Sequence, residues 1–291
     1  MNVRPHQAGF TLVELIMVII IMGVIGAMVA VFMKSPIDAY FDSARRAALT
    51  DVADTVVRRM ARDIRKALPN SLRLPTSGSS NACIEFIPTK AGGRYRAQAN
   101  SAGAGDILDF SITDSSFDML GANSTLTDQA IGVGDLVAVY NLGIPGADAY
   151  ARENITPVSS TGVSAGSLGN EAKINITAFR YPLASGSNRF HVIPSTEPAV
   201  SFGCVGAGVV AGEGVGTLYR YVRDLSTTFA CPASLADVPG ASVLAQGASA
   251  CSFVYNGSDL RRNAMVQVSV RLTRSGETVN LYHEVHVDNT P

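Results

Sequence analysis

Lysine and arginine are not in excess here: 23 of them face 24 aspartates and glutamates, for a formal net charge of −1. A dedicated nucleic-acid binder needs a basic surplus to exchange counterions with phosphates, so the balance argues against one. No Cys-x-x-Cys pair occurs among the four cysteines, and a structural zinc site is not expected. "HEVH", residues 283 to 286, lacks the i, i+4 histidine spacing of a zinc-protease helix; on a strand His283 and His286 point to opposite faces. No pair of carboxylates and no nucleophile–base set stands out. The chain therefore reads as non-enzymatic, with no cofactor and no metal. No internal repeat is present, and charge itself is scarce, at 16% against 47% hydrophobic residues.

What the chain does have is one long apolar run near its start. From Phe10 to Met33 the only ionisable side chain is Glu14. As a helix these 24 residues would extend roughly 36 Å, enough to cross a bilayer. A removable signal peptide should have an apolar region of about 7 to 15 residues followed by a small-x-small site. This run is longer, and its small residues, Ala8 and Gly9, come before it.

A lone acid in such a segment needs an explanation, because an ionised carboxylate at mid-membrane costs on the order of 3 kcal/mol, less near the interface. Glu14 lies four residues beyond Phe10. If the chain were cut before Phe10, the new amine would be mostly cationic at neutral pH. Two unit charges about 4 Å apart at an effective dielectric near 20 gain roughly 4 kcal/mol, the same order as the burial cost. The partner amine can belong to the same helix or to another subunit.

"GFTLVEL", residues 9 to 15, resembles the processing motif of type IV pilins and type II secretion pseudopilins. The resemblance implies a leader at residues 1–9, cleavage between Gly9 and Phe10 by a prepilin peptidase, methylation of the Phe10 amine, and an assembly salt bridge from Glu14. It also implies an α+β fold: a long N-terminal helix packed on an antiparallel β-rich head. The expected partners are major and other minor pilins and the inner-membrane assembly platform, with no nucleic acid. The head would lie in the periplasm before assembly and outside the cell in a pilus after it. Arg4 is the one clear base of the leader, whereas Lys34, Arg45 and Arg46 follow the span. The positive-inside rule thus opposes this orientation, but long following domains translocate largely regardless of charge.

Beyond the span, residues 34–68 resume helical spacing. Pro36 should bend or interrupt the helix. Ile37, Phe41, Ala44, Ala48, Val52, Val56, Met60, Ile64 and Ala67 then form one apolar face. Acids precede bases along it, in keeping with the helix dipole. Arg58, Arg59, Arg62, Arg65 and Lys66 are expected on a solvated face or at a subunit contact.

Residues 69–291 read as a head of short strands between Gly- and Ser-rich loops. Expected strands are "CIEFIP", "DILDFSI", "DLVAVYNL", "KINITAF", "RFHVI", "TLYRYV" and "CSFVYN", and a hairpin over 264–287 with Ser275-Gly276 near its turn. "SSTGVSAGSLGN" and "GAGVVAGEGVG" read as loops; the second matches a dinucleotide fingerprint in letters, but a strand follows where a helix should begin. Cys83, Cys204, Cys231 and Cys251 all lie in the head, an even number that suits two disulfides in an exported domain. Three pairings exist; the preferred one joins Cys231 to Cys251, close in sequence, and Cys83 to Cys204. "DSSFD", residues 114 to 118, is a weak calcium candidate, and the sequons at Asn123, Asn154, Asn175 and Asn256 read as ordinary polar positions.

The helix end "RRMARDIRKALPNSLR" and the large head resemble larger minor pilins and J-type pseudopilins. "CIEFIPTKAGGRYRA", "GDLVAVYNLGIPGADAY" and "HEVHVDNTP" resemble minor pilins of mannose-sensitive haemagglutinin pili. A ligand-binding adhesin or DNA-uptake tip carried on the same stalk is the alternative from a different class.

Overall fold

A computed structural model describes residues 9–75, 82–256 and 263–291. Residues 1–8 of the expected leader, including Arg4, lie outside this set. The protein is α+β: one long helix and a head built from antiparallel sheets. Helix α1 runs from Leu12 to Ile64. It continues through Pro36, so of the bend or interruption expected there the interruption does not occur. Proline removes one donor and crowds the preceding turn, yet a helix can pass it when the freed carbonyl is accommodated locally.

The chain divides into two compact units, residues 1–48 and 49–291. In the first, the apolar side chains of the helix are uncovered within the chain among the described residues: Leu12, Ile20, Val31 and Phe32 are all exposed. In the second, Leu49, Ala53, Val56, Val57, Met60, Ala61, Ile64 and Ala67 sink into the head's principal core.

The described head contains strands β1 (Cys83–Phe86), β2 (Ala91–Arg94), β3 (Asp114–Met119), β4 (Leu136–Val139), β5 (Ile155–Ala165), β6 (Ala172–Phe179) and β7 (Arg189–Ile193). β8 (Ala199–Val205), β9 (Val209–Val210), β10 (Glu213–Gly214), β11 (Gly216–Arg223), β12 (Ser242–Asn256), β13 (Asn263–Arg274) and β14 (Glu277–Asp288) follow. One six-stranded sheet has the order β1-β8-β11-β12-β13-β14, and the other β2-β7-β4-β5-β6-β3.

The first sheet packs on α1. Val266, Val268, Val270 and Leu272 of β13 point inward, with Val285 and Val287 of β14 beside them. Their alternation with polar residues is the half-buried pattern the sequence predicts. β8 is buried along its whole length, so it shows no alternation. Gly203 in it faces Cys83 on β1 and Tyr219 on β11; a Cβ there would meet the Tyr219 hydroxyl at 2.5 Å and Cys83 Cβ at 2.8 Å. Only glycine fits between those two strands.

The second sheet has its own core, including Phe117, Val137, Ile174, Tyr181 and Phe190. Leu68, Ile87, Leu136, Ala149 and Tyr150 form a further cluster with Ile193 and Ala199.

Several loop and strand expectations change. "DILDFSI" forms no strand; the strand is the following segment, β3. In that segment Asp109 accepts the Ser111 N–H and hydroxyl, and Asp114 accepts the Asp109 N–H, so local polar bonds replace a ladder. "SSTGVSAGSLGN" begins inside the 11-residue β5, despite its serines and glycines. The "GAGVVAGEGVG" segment holds the small β9–β10 ribbon, which docks on the β13–β14 turn: Gly276 N–H donates to Gly212 O at 2.8 Å and Ser275 N–H to Glu213 Oε1 at 2.9 Å.

Both disulfides differ from the preferred pairing. Cys83 is joined to Cys231, and Cys204 to Cys251, with Cα separations of 5.6 Å and 6.2 Å. Proximity in sequence misled here because Cys251 lies on β12 and Cys231 in the loop after β11. The sheet brings the end of β8 to β12 just beyond the start of β11 at Gly216.

Candidate assembly segment

Helix α1 starts with a polar cap. Thr11 precedes the first helical residue, and its Oγ1 accepts the Glu14 N–H at 3.3 Å, while its carbonyl accepts from Leu15 at 3.2 Å. Thr11-x-x-Glu14 has the spacing of a capping box. The carboxylate of Glu14 therefore stands in the first turn, beside unpaired N–H groups and the positive end of the helix dipole. This local role was not read from the sequence, although Thr-x-x-Glu before an apolar run was there to signal it.

Gly9 and Phe10 lie just outside the helix, in irregular backbone, and Phe10 is 83% exposed. An exposed, non-helical peptide bond is the form in which a peptidase can engage it. α1 is the one described helix that is long and apolar enough to cross a membrane, and the apolar stretch is wholly uncovered within the chain.

In the head, a buried ion cluster went unnoticed in the sequence. Glu85 on β1 is fully buried. Arg73 donates to its Oε1 through Nε at 2.9 Å and Nη2 at 2.5 Å, and Arg223 Nε stands 2.5 Å from Oε2. Burial pushes the Glu85 carboxyl up, and the two guanidiniums pull it back down without fully offsetting that. The same arginines donate to the carbonyls of Ser226, Thr227 and Thr228, and Arg73 stacks 3.5 Å from the Tyr150 ring centroid. This cluster and the Cys83–Cys231 bridge fix the loop after β11. It acts as a structural clamp.

The remaining sequence candidates are dispersed. His283 is half-buried and His286 exposed on β14, opposite Val268 and Met265. Asp114 and Asp118 spend their carboxylates on neighbouring backbone N–H groups, and no metal-holding group of His, Cys, Asp and Glu occurs among the described residues. Asn154 is fully buried and donates to Val139 O at 3.2 Å.

An uncovered, capped apolar helix and a folded antiparallel head fit a membrane-anchored, pilin-like class of protein. Residues 4–30 match the family model described as the prokaryotic N-terminal methylation motif. That match supports a type IV pilin or pseudopilin and implies processing by a prepilin peptidase. No curated protein and no solved structure matches the chain at a significant level.

Proposed function

We propose that the chain is a minor pilin, a structural subunit of a type IV pilus that acts in pilus initiation and assembly and so in surface attachment. The observation that carries this reading is the methylation motif at the head of a helix whose apolar residues 12–33 are left uncovered within the chain. Apolar area of that extent is stabilised only in lipid or against other helices, and association offers about 25 cal/mol per Å² removed from water. Cleavage after Gly9 frees the Phe10 amine. Glu14, held at the first turn, then attracts the amine of an adjacent subunit and sets the axial register of the incoming helix. The mature chain passes from the inner membrane into a filament while the head remains outside.

Within that class, "CIEFIPTKAGGRYRA", "GDLVAVYNLGIPGADAY" and "HEVHVDNTP" favour a subunit similar to the MshO minor pilin of the mannose-sensitive haemagglutinin pilus. The helix end "RRMARDIRKALPNSLR" keeps a J-type pseudopilin of a secretion system as the second reading. Pilus or secretion genes beside this one decide between them.

Glu14→Ala tests the assembly role. Processing is expected to proceed normally while the protein disappears from sheared filaments. Wild-type amounts of the variant in that fraction would make the carboxylate dispensable and remove the proposed register device.

A further inference from the structure

The solvent side of α1 within the head carries a ridge of cations. Arg58, Arg59, Arg62, Arg65 and Lys66 are all exposed. At 3.6 residues per turn they occupy roughly a third of the circumference, opposite Ala53, Val56, Met60 and Ile64 in the core. Arg58 is paired with Asp54 at 2.6 Å, while Arg59, Arg62, Arg65 and Lys66 have no ion pair among the described residues. The helix dipole favours cations in the last turn only, so it does not account for Arg59.

The ridge ends in a cleft. Arg65 and Lys66 belong to both, and with Thr89, Lys90, His191 and Thr196 they line a cavity of about 680 Å³, within the size range of small-ligand sites. Two of its cations are already matched: Lys90 lies 2.7 Å from Asp135, and Arg220 is 2.7 Å from Glu197 and 3.3 Å from Asp63. His191 Nε2 is buried with no hydrogen-bond partner among the described residues. Phe86, the lone aromatic ring of the lining besides that imidazole, is fully buried and offers no stacking surface.

We propose that this face binds an acidic polysaccharide. Uronate carboxylates ion-pair along the ridge, where a cation recurs about every turn, roughly 5 to 6 Å. A terminal sugar enters the cleft, its hydroxyls meeting those of Thr89 and Thr196 at the lining, while the sealed His191 Nε2 stays out of its reach. A flat acidic protein surface would engage the ridge but leave the cleft unfilled. Single-stranded nucleic acid would seek exposed aromatic rings, and the site offers none. The inference concerns the head alone and stands whether the subunit serves a pilus or a secretion system.

The test is calorimetric titration of the full-length chain in detergent micelles with polygalacturonate, neutral dextran and duplex DNA at two salt concentrations. Polygalacturonate is expected to bind saturably and more weakly at higher salt, and dextran not at all. The Arg59→Glu/Arg62→Glu variant should lose affinity tenfold or more with an unchanged melting temperature. Free galacturonate should compete, and Thr196→Tyr, which fills the cleft, or Lys66→Glu at its rim should abolish the competition. Absence of polygalacturonate binding, equal binding of dextran, or indifference to the ridge reversal would overturn the proposal. Tighter, ridge-dependent binding of DNA would overturn it in favour of nucleic acid. Competition that survives both cleft variants would refute the role of the cleft.

Discussion

Two buried ionisable side chains set much of the head's response to pH and mutation. Burial, with Arg189 nearby, holds the His191 imidazole down at about 4, against a weaker upward pull from Asp288. The folded head thus favours the neutral ring, whereas the unfolded chain protonates it near 6.5. Its contribution is complete above about pH 6.5 and is lost as pH falls toward 4, a change of roughly 3 kcal/mol. Urea unfolding at pH 7, 5.5 and 4 should show this decline, and His191→Gln should flatten it; parallel profiles for the two proteins would contradict the assignment. Glu85 has the opposite sign. Its raised carboxyl favours the protonated form in the folded state, so its linkage contribution is present at low pH and is lost as pH rises through its folded value. Removing it outright is a separate matter, because Arg73 and Arg223 would then be left without their shared anion. Glu85→Ala should destabilise the head by about 3–5 kcal/mol in the same unfolding assay.

At the scale of elements, α1 does two jobs with one uninterrupted helix. Met60 is fully buried against the first sheet, while Ile20 is 59% exposed. Met60→Ala should cost the head about 2–5 kcal/mol in denaturant unfolding, and Ile20→Ala should leave that midpoint where it is. The disulfides act on the unfolded chain. Their sequence separations of 148 and 47 correspond, in the loop-entropy model, to about 5 and about 4 kcal/mol. A non-reducing peptide digest should recover Cys83 linked to Cys231 and Cys204 linked to Cys251. A Cys231–Cys251 peptide would contradict this connectivity.

These elements were unevenly legible in the sequence. "GFTLVEL" and the alternation of Val266, Val268, Val270 and Leu272 are local signals, and both the helix and the β13–β14 hairpin follow from them. β8 is invisible to an alternation test because all of its residues are buried, and β5 hides behind serine, threonine and glycine. The disulfides depend on strand order, which brings β8 to β12 across the start of β11. Glu85 finds its partners 12 and 138 residues away, and spacing carries no trace of such a contact. The ridge of arginines was readable as a helix face, but its continuation into a cleft required Lys90, His191 and Thr196 to be brought together by the fold.

For the whole molecule, hydrophobicity is divided sharply: from Phe10 to Met33 the chain carries one ionisable side chain, Glu14. The head supplies the disulfide-fixed body, and residues 12–33 supply an apolar rod with no cover within the chain. Such a rod is stable in a bilayer or among like rods, and the proposed cut at Gly9 converts one condition into the other by creating a cation opposite Glu14. Mass spectrometry of the protein recovered from sheared surface fibres tests this most directly. The account predicts a chain that begins at Phe10 and carries an N-methyl group. A chain retaining Met1, held in the cell envelope and missing from the fibres, would contradict it.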